Sequence, residues 1–277
     1  MTVARREGGR RKDEIVEKRK SGIPSVSVIT AVYNAKDSLE ATIQSVLRQG
    51  YPDLEFVIVD GGSVDGTLDV IQRYDDRIEY WISEPDRGIY DAFNKGVECS
   101  RGEWLYFLGA GDRLKDEKVI ERFFASTPRN RFLYGNVSWG DTGKIYDGKF
   151  TPLKISRRNI CQQAIFYHRS LFEELGKFDT RYPILADWEF NVRCFGARNV
   201  RPLYRNIIVA EYQLGGISKA SDPALERDKE RLIRKHLGKR TEFLYRAYRI
   251  QKRFFTSLVD LFRLVLLFTT LIADFFP

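Results

Sequence analysis

This chain is poor in the residues that build metal clusters and disulfide frameworks. It carries two histidines and three cysteines in 277 residues, and Cys99, Cys161 and Cys194 stand far apart with no C-x-x-C pair. A zinc module or a disulfide-stapled scaffold is thereby excluded, and a reducing compartment is expected. The N-terminal MTVARREGGRRKDE has no apolar run behind its basic residues, so no secretory signal is read there and a cytoplasmic location is expected. The apolar run Leu264–Phe268 is far shorter than the roughly 18 residues needed to cross a bilayer. No G-x-G-x-x-G follows the first apolar run, which argues against a dinucleotide enzyme. That same turn, ITAVYNAKDS, lacks the glycine-rich, basic loop with which nucleotidyltransferases hold a triphosphate. No internal repeat is visible.

What is present is enough for one large α/β domain: 43% hydrophobic residues give a core. A net charge of +8 points to an acidic partner, whether nucleic acid, anionic lipid or a phosphorylated substrate. Residues 1–24, almost without apolar side chains, read as a mobile basic arm. From Ser25 the pattern alternates. Apolar runs Val26–Val32, Leu54–Val59, Ile78–Ile82 and Trp104–Leu108 are separated by stretches with helical spacing, as in βαβ units and a parallel, doubly wound sheet. After Asp112 the rhythm changes. A helix is predicted near Lys115–Ala125, a hairpin around Gly140–Gly143 leading to a strand near Ile145–Phe150, strands near Ala164–Tyr167 and Leu203–Tyr212, and helices near Ser170–Leu175, Ala186–Phe195 and Pro223–Leu237, the last capped by Asp222.

In an open parallel sheet ligands bind beyond the carboxyl ends of the strands. There the unusual residues collect: Ala31-Val32-Tyr33-Asn34, Asp60-Gly61-Gly62-Ser63-Val64-Asp65-Gly66-Thr67, Glu84-Pro85-Asp86-Arg87-Gly88 and Gly109-Ala110-Gly111-Asp112. Tyr33 offers a ring to a base, Asp60 an acceptor for a pyrimidine N–H, and the glycines close backbone approach. Asp112 offers a hard oxygen to Mg²⁺ or Mn²⁺, ions held by one or two carboxylates plus substrate phosphates. Each loop taken alone also reads as turn chemistry, Asp112 as a helix cap and Tyr33 as a core-edge aromatic. Their coincidence on one rim favours a nucleotide diphosphate site.

SVITAVYNAKDSLEATIQSVLRQGYPDLEFVIVDGGSVDGT together with EPDRGIYDAFNKGVECSRGEWLYFLGAGD resembles the inverting glycosyltransferases of family 2, which have the GT-A fold, especially those of bacterial cell-surface polysaccharide synthesis. The resemblance runs from about Ser25 to Ser218. It implies a GT-A, Rossmann-like, mostly parallel α/β sheet with a smaller mixed acceptor region, a domain taken to span residues 25–240, while a C-terminal helical extension over 241–277 is read separately from its own pattern. By it, Ala31, Tyr33, Asp60 and Ser63 hold base and ribose; Asp86, Gly88, Asp91, Lys95 and Gly111 line the rest of the donor pocket. Asp112 becomes the metal ligand, although Gly109-Ala110-Gly111-Asp112 lacks the first acidic residue of the family's usual Asp-x-Asp. Gln163 and Trp188 fall in acceptor-side segments, Trp188 reading equally well as core. Asp187 takes the place of the family's catalytic base, with Glu189 as fallback and a plain helix cap as the structural alternative. The histidines, His168 and His236, stay outside the mechanism. The implied partners are a nucleotide-sugar donor and a glycan or lipid-linked acceptor, with no nucleic acid; a nucleotidyltransferase and an inactive scaffold are the rival readings.

The C-terminal segment has its own pattern. At about 100° per residue, Arg246, Arg249, Lys252, Arg253, Thr256, Asp260, Arg263, Thr270 and Asp274 share one arc, and Phe254, Phe255, Leu258, Leu261, Phe262, Val265, Phe268 and Ile272 fill the rest. An amphipathic helix lying in a membrane interface, on the inner face, is expected, with a homo-oligomer contact as the alternative.

Overall fold

The computed structural model describes residues 5–13, 23–126, 128–213, 220–252 and 254. In chain order the elements are β1 (Arg6–Gly8), β2 (Val26–Val32), α1 (Lys36–Leu47), β3 (Leu54–Asp60), α2 (Thr67–Gln72), β4 (Tyr80–Ser83), α3 (Ile89–Cys99), β5 (Trp104–Phe107), β6 (Arg113–Leu114), α4 (Val119–Phe123), β7 (Phe132–Trp139), β8 (Lys144–Tyr146), α5 (Pro152–Arg157), β9 (Ile165–His168), α6 (Ser170–Leu175), α7 (Ala186–Gly196), β10 (Leu203–Tyr212) and α8 (Pro223–Leu237). Residues 239–252 continue as a further helix.

One sheet runs through the domain in the order β1-β4-β3-β2-β5-β9-β7-β10-β6, with β8 on β7. Strands β4, β3, β2 and β5 are mutually parallel. All seven residues of β2 are buried, so it reads as a continuous apolar run, as a parallel strand covered on both faces must. Past β5 the sheet turns mixed, since β9 is antiparallel to both β5 and β7 while β10 is parallel to β7. The chain goes from β2 to β3 and β4 on one side and then crosses back to β5 on the other. That switch point opens the carboxyl edge where the four loops meet.

Three expectations are corrected. Residues 6–13 are not a free arm: β1 pairs antiparallel with β4, Arg6 opposite Ser83 and Gly8 opposite Trp81. The reason is charge. Glu55, buried in β3 beside Ser27 and the backbone N–H of Arg101, requires a counter-charge, and Arg11 supplies it in an ion pair while its guanidinium lies 5.0 Å over Tyr80. The helix expected from Lys115 begins only at Val119, because β6 first pairs with β10 and Asp116, accepting the Lys118 N–H, holds the turn before it. The strand after the hairpin likewise stops at Tyr146.

Candidate active site

The loops after β2 and β3 are knitted together by side chains. Asn34, in left-handed conformation at φ 47°, accepts the Val64 N–H through its amide oxygen, and its own N–H donates to Ser63 Oγ at 2.8 Å. Ala35 N–H donates to Thr67 Oγ1, and Lys36 N–H to Asp65. Asp60 is fully buried beneath them. Its carboxylate accepts the Ser63 N–H at 3.1 Å and the Ser83 hydroxyl at 2.6 Å, so its oxygens are occupied by the protein itself. Tyr33, 63% exposed, leaves its ring open at the rim. Asp86 lies beside it: a Cβ added to Gly61 would meet Asp86 Oδ2 at 2.5 Å and Tyr33 Cδ2 at 3.3 Å, so only glycine lets the three approach. Burial first, then Asp91 and Asp60, hold the Asp86 carboxyl above the usual range, against the Gly88 N–H and Lys95. Lys95 reaches back to Glu84 at 2.8 Å and the Pro85 carbonyl, and Asp91 accepts the Arg87 N–H. Ala31 is buried at the end of β2. The predicted donor residues thus share one rim, with Asp60 and Lys95 bracing it.

Asp112 sits deeper, 6% exposed. It does not cap α4. Its Oδ1 accepts the backbone N–H of Gln213 at 2.8 Å and its Oδ2 the Gln163 amide at 2.5 Å, while burial pushes its pKa up to about 6. Thr42 on α1 holds the loop, accepting the Gly111 N–H at 2.9 Å and donating to the Asp112 carbonyl at 2.8 Å. Gly111 is favoured by its φ of 102°, a left-handed conformation that side chains rarely adopt. Among the described residues no three His, Cys, Asp or Glu side chains converge as a metal cluster. What Asp112 can offer is the remaining lone pairs of one carboxylate, which fits a divalent ion only in the minimal form where phosphates and water complete the shell.

The second carboxylate, Asp187, lies in the first turn of α7, 7% exposed. Tyr90 on α3 donates its hydroxyl to Oδ1 at 2.7 Å, and Asn159 donates to Oδ2 at 2.6 Å. Asn159 in turn accepts from Asn191, which accepts from Tyr167. Burial raises the Asp187 carboxyl to about 6 against these hydrogen bonds, and burial together with Asp187 holds the Tyr90 phenol protonated, a fixed donor. Asp222 sets the helix start: one oxygen caps α8 at Leu225, the other accepts the N–H groups of Ile184 and Leu185 at 3.0 and 3.2 Å. Between the carboxylates runs Cys161–Gln163. The Cys161 thiol, raised by burial and by both Asp112 and Asp187, lies against Gln163, whose amide is committed to Asp112.

Two acceptor-side expectations fail. Trp188 is core: 2% exposed, its indole N–H bonded to the Ile155 carbonyl at 2.8 Å, it has no face for a sugar. Glu189 does not stand in for Asp187. Two residues along a helix turn it some 200° away, and there it pairs with Arg193 at 2.7 Å. Tyr90, Asn159, Thr42 and Gln213 escape sequence reading altogether, and Asp222 is read there only as the cap of α8. Each is an ordinary residue type whose role comes from a partner at least 28 positions away, and only the Asp222 cap leaves a local signal.

A rim of glycine- and aspartate-bearing loops at the switch point of a Rossmann-like sheet, with buried carboxylates at Asp112 and Asp187, is an arrangement that can house group-transfer chemistry. The glycosyl transferase family 2 model matches residues 27–176, and the chain belongs to that family. A PGL/p-HBAD biosynthesis glycosyltransferase of Mycobacterium bovis (strain BCG / Pasteur 1173P2) is 38% identical over 203 residues, 70% of this chain and 79% of the relative. A putative teichuronic acid biosynthesis glycosyltransferase, TuaG, of Bacillus subtilis (strain 168) is 43% identical over 99 residues, 35% of this chain and 39% of its own. The fold is shared with S. aureus TarS 1-349 in complex with UDP-GlcNAc, at TM-score 0.64 and 17% identity, covering 76% of this chain and 66% of that one. It is also shared with the mannosyltransferase PcManGT of Pyrobaculum calidifontis in complex with GDP-Man and Mn²⁺, at TM-score 0.55 and 19% identity, covering 83% and 65%. The chain spans about two thirds of these solved structures. It is a glycosyltransferase.

Proposed function

We propose that the chain transfers a sugar with inversion, from a UDP-sugar to a hydroxyl of a lipid-linked or glycan acceptor of the cell surface, at the cytoplasmic face of a membrane. The observation that carries this reading is the buried carboxylate Asp187, held from both sides by Tyr90 and Asn159 and unpaired with any cation among the described residues. Inversion needs one base. The acceptor O–H gives its proton to Asp187 as its oxygen bonds to the anomeric carbon, and the bond to the leaving diphosphate breaks on the opposite face. Tyr33 stacks on the base and Asp86, with an oxygen beside the Tyr33 ring, is the better acceptor for a uracil N–H than the occupied Asp60. A Mg²⁺ or Mn²⁺ ion arriving with the donor would rest on Asp112 and offset charge on the leaving diphosphate. The decisive measurement is thermal shift and transfer with UDP-, GDP- and dTDP-sugars. UDP-sugars are expected to raise Tm in proportion to occupancy, and Tyr33→Ala to weaken that donor about tenfold or more, stacking being worth roughly 1–3 kcal/mol. Preference for a purine donor, or binding without transfer, would sink the reading.

The membrane part rests on the final helix. Among the described residues no helix is long and apolar enough to cross a bilayer. Phe243, Ile250 and Phe254 are 71%, 70% and 65% exposed and fall on one stripe, while Tyr245 on another face is buried. The basic arc expected there is spent within the domain: Arg246 and Arg249 pair with Glu230, and Arg246 also with Glu242. Arg253 and residues 255–277, on which the rest of that expectation falls, lie outside the described residues. Replacing Phe243, Ile250 and Phe254 by Ser is expected to lower association with anionic vesicles at least tenfold, given about 1.5–3 kcal/mol per buried large apolar side chain. Unchanged vesicle binding with a lost dimer would assign the stripe to a second copy.

A further inference from the structure

A cavity of about 560 Å³ opens between α5 and the final helix, lined by Thr151, Leu153, Lys154, Arg157, Arg158 and Tyr248. Three of these are cations and none is acidic. Among the described residues Asp147 is the one carboxylate they meet: it lies 3.3 Å from Lys154 and 3.0 Å from Arg158, and leaves the group with a surplus of positive charge. Lys154 is further braced by the Asp147 and Lys149 carbonyls. Arg157 is different. Its guanidinium lies 4.5 Å over the Tyr248 ring, and no carboxylate pairs with it among the described residues. A planar fork of N–H donors fixed by stacking, with a second guanidinium on the next residue, suits the paired oxygens of a phosphate group.

The position of the cavity gives that chemistry a purpose. Helix α5 is fastened to the start of α7 through the Trp188 indole N–H on the Ile155 carbonyl. Directly after Arg158 comes Asn159, which holds Asp187 Oδ2. A phosphate at Arg157 and Arg158 therefore lies on the acceptor side, one residue from a group that touches the base. The opposite wall is Tyr248, on the helix whose exposed Phe243, Ile250 and Phe254 form the apolar stripe. If that stripe lies in an interface, the cavity opens at the depth where phosphate groups of amphiphiles reside.

We infer that this cavity binds the phosphate or diphosphate of the acceptor, so that the acceptor is a phosphate-linked lipid whose hydroxyl is presented to Asp187. The inference rests on the transferase reading for its purpose, but the site itself is testable without turnover. The full chain is saturated with UDP to fill the donor rim, and inorganic pyrophosphate is titrated calorimetrically against wild type, Arg157→Gln/Arg158→Gln and Arg157→Lys. Pyrophosphate is expected to bind wild type in the presence of UDP, at least tenfold more weakly to the double variant, and with intermediate affinity to Arg157→Lys, which keeps charge without the fork. UDP affinity and Tm are expected to be unchanged, since both arginines are exposed. The same proteins are then spun with phosphatidylcholine vesicles with and without phosphatidylglycerol. Loss of phosphatidylglycerol binding in the double variant, with pyrophosphate binding intact, would overturn the inference and make the cavity a bulk headgroup site. No pyrophosphate binding beside UDP, or binding indifferent to both substitutions, would also overturn it. Failure of wild type to bind any UDP-sugar would strike the transferase reading instead, leaving the pyrophosphate result to stand or fall alone.

Discussion

Asp187→Asn is expected to lower turnover by about two to four orders of magnitude, the usual worth of a general base, while donor affinity and folding stability stay close to wild type. The carboxamide keeps an oxygen for the Tyr90 hydroxyl, and the Asn159 amide accepts from its NH2 when Asn159 and Asn191 turn over together, Tyr167 then accepting from Asn191. It cannot take the proton. Stability should not suffer, and the sign follows from linkage. Burial raises the folded carboxyl to about 6, above an unfolded value near 3.9. The folded state thus binds more protons between those values, and stability falls as pH rises from about 4 to about 6, then levels off. At neutral pH the native charged form carries that cost and the amide does not. The rate should show the opposite trend: active above about 6, falling toward tenfold per unit below it as the base is protonated. Turnover, nucleotide affinity and urea unfolding at pH 5 and 7 check all three. Wild-type turnover in the variant would reduce Asp187 to a helix-start residue, and lost donor binding would move it into the nucleotide pocket.

Asp112→Ala should remove at least about a thousandfold of transfer, several kcal/mol of charge stabilisation at the leaving group. A loop that served only as a rim would leave the fold indifferent to this change. The structure makes that too generous: with 6% exposure, Asp112 holds the Gln213 N–H and the Gln163 amide together, and alanine leaves both donors unmatched, at about 1–3 kcal/mol each, partly offset by removing a buried charge. Asp112→Asn separates the two duties. It retains an acceptor for Gln213 and recovers most of the stability, yet offers a cation a neutral oxygen. If Asp112 holds an ion, the asparagine variant needs far more Mg²⁺ or Mn²⁺ for donor binding. If both variants turn over normally in chelator, the ion has no place at Asp112.

The legible part of this protein is its parallel half. Strands β2, β3, β4 and β5 are apolar because they are buried, and the glycine and aspartate turns after them announce a ligand edge because few other sequences bend and bind there. That signal is local, and it placed Tyr33, Asp86, Gly111 and Asp112 on the loops that follow the parallel strands. In the mixed half the same reasoning weakens. Trp188 and Glu189 flank Asp187 in the sequence, but a helix sends consecutive residues to different surroundings, so one entered the core and the other met Arg193.

The N-terminal arm shows the same division. Its basic composition says that it is soluble, and says nothing of Glu55, 44 residues from Arg11, whose buried charge draws the arm onto the sheet. Periodicity, turn chemistry and caps depend on neighbours a few positions apart; by themselves they determined the parallel half of the sheet and where its loops fall, and a motif resemblance pointed to the family. Tertiary structure alone decided which carboxylate is held by Tyr90 and Asn159, which oxygens of Asp60 and Asp112 are already occupied, and that the cations of α5 face a cavity. Burial and hydrogen-bond satisfaction are settled by partners distant in sequence, and those exist only once the chain has closed on itself.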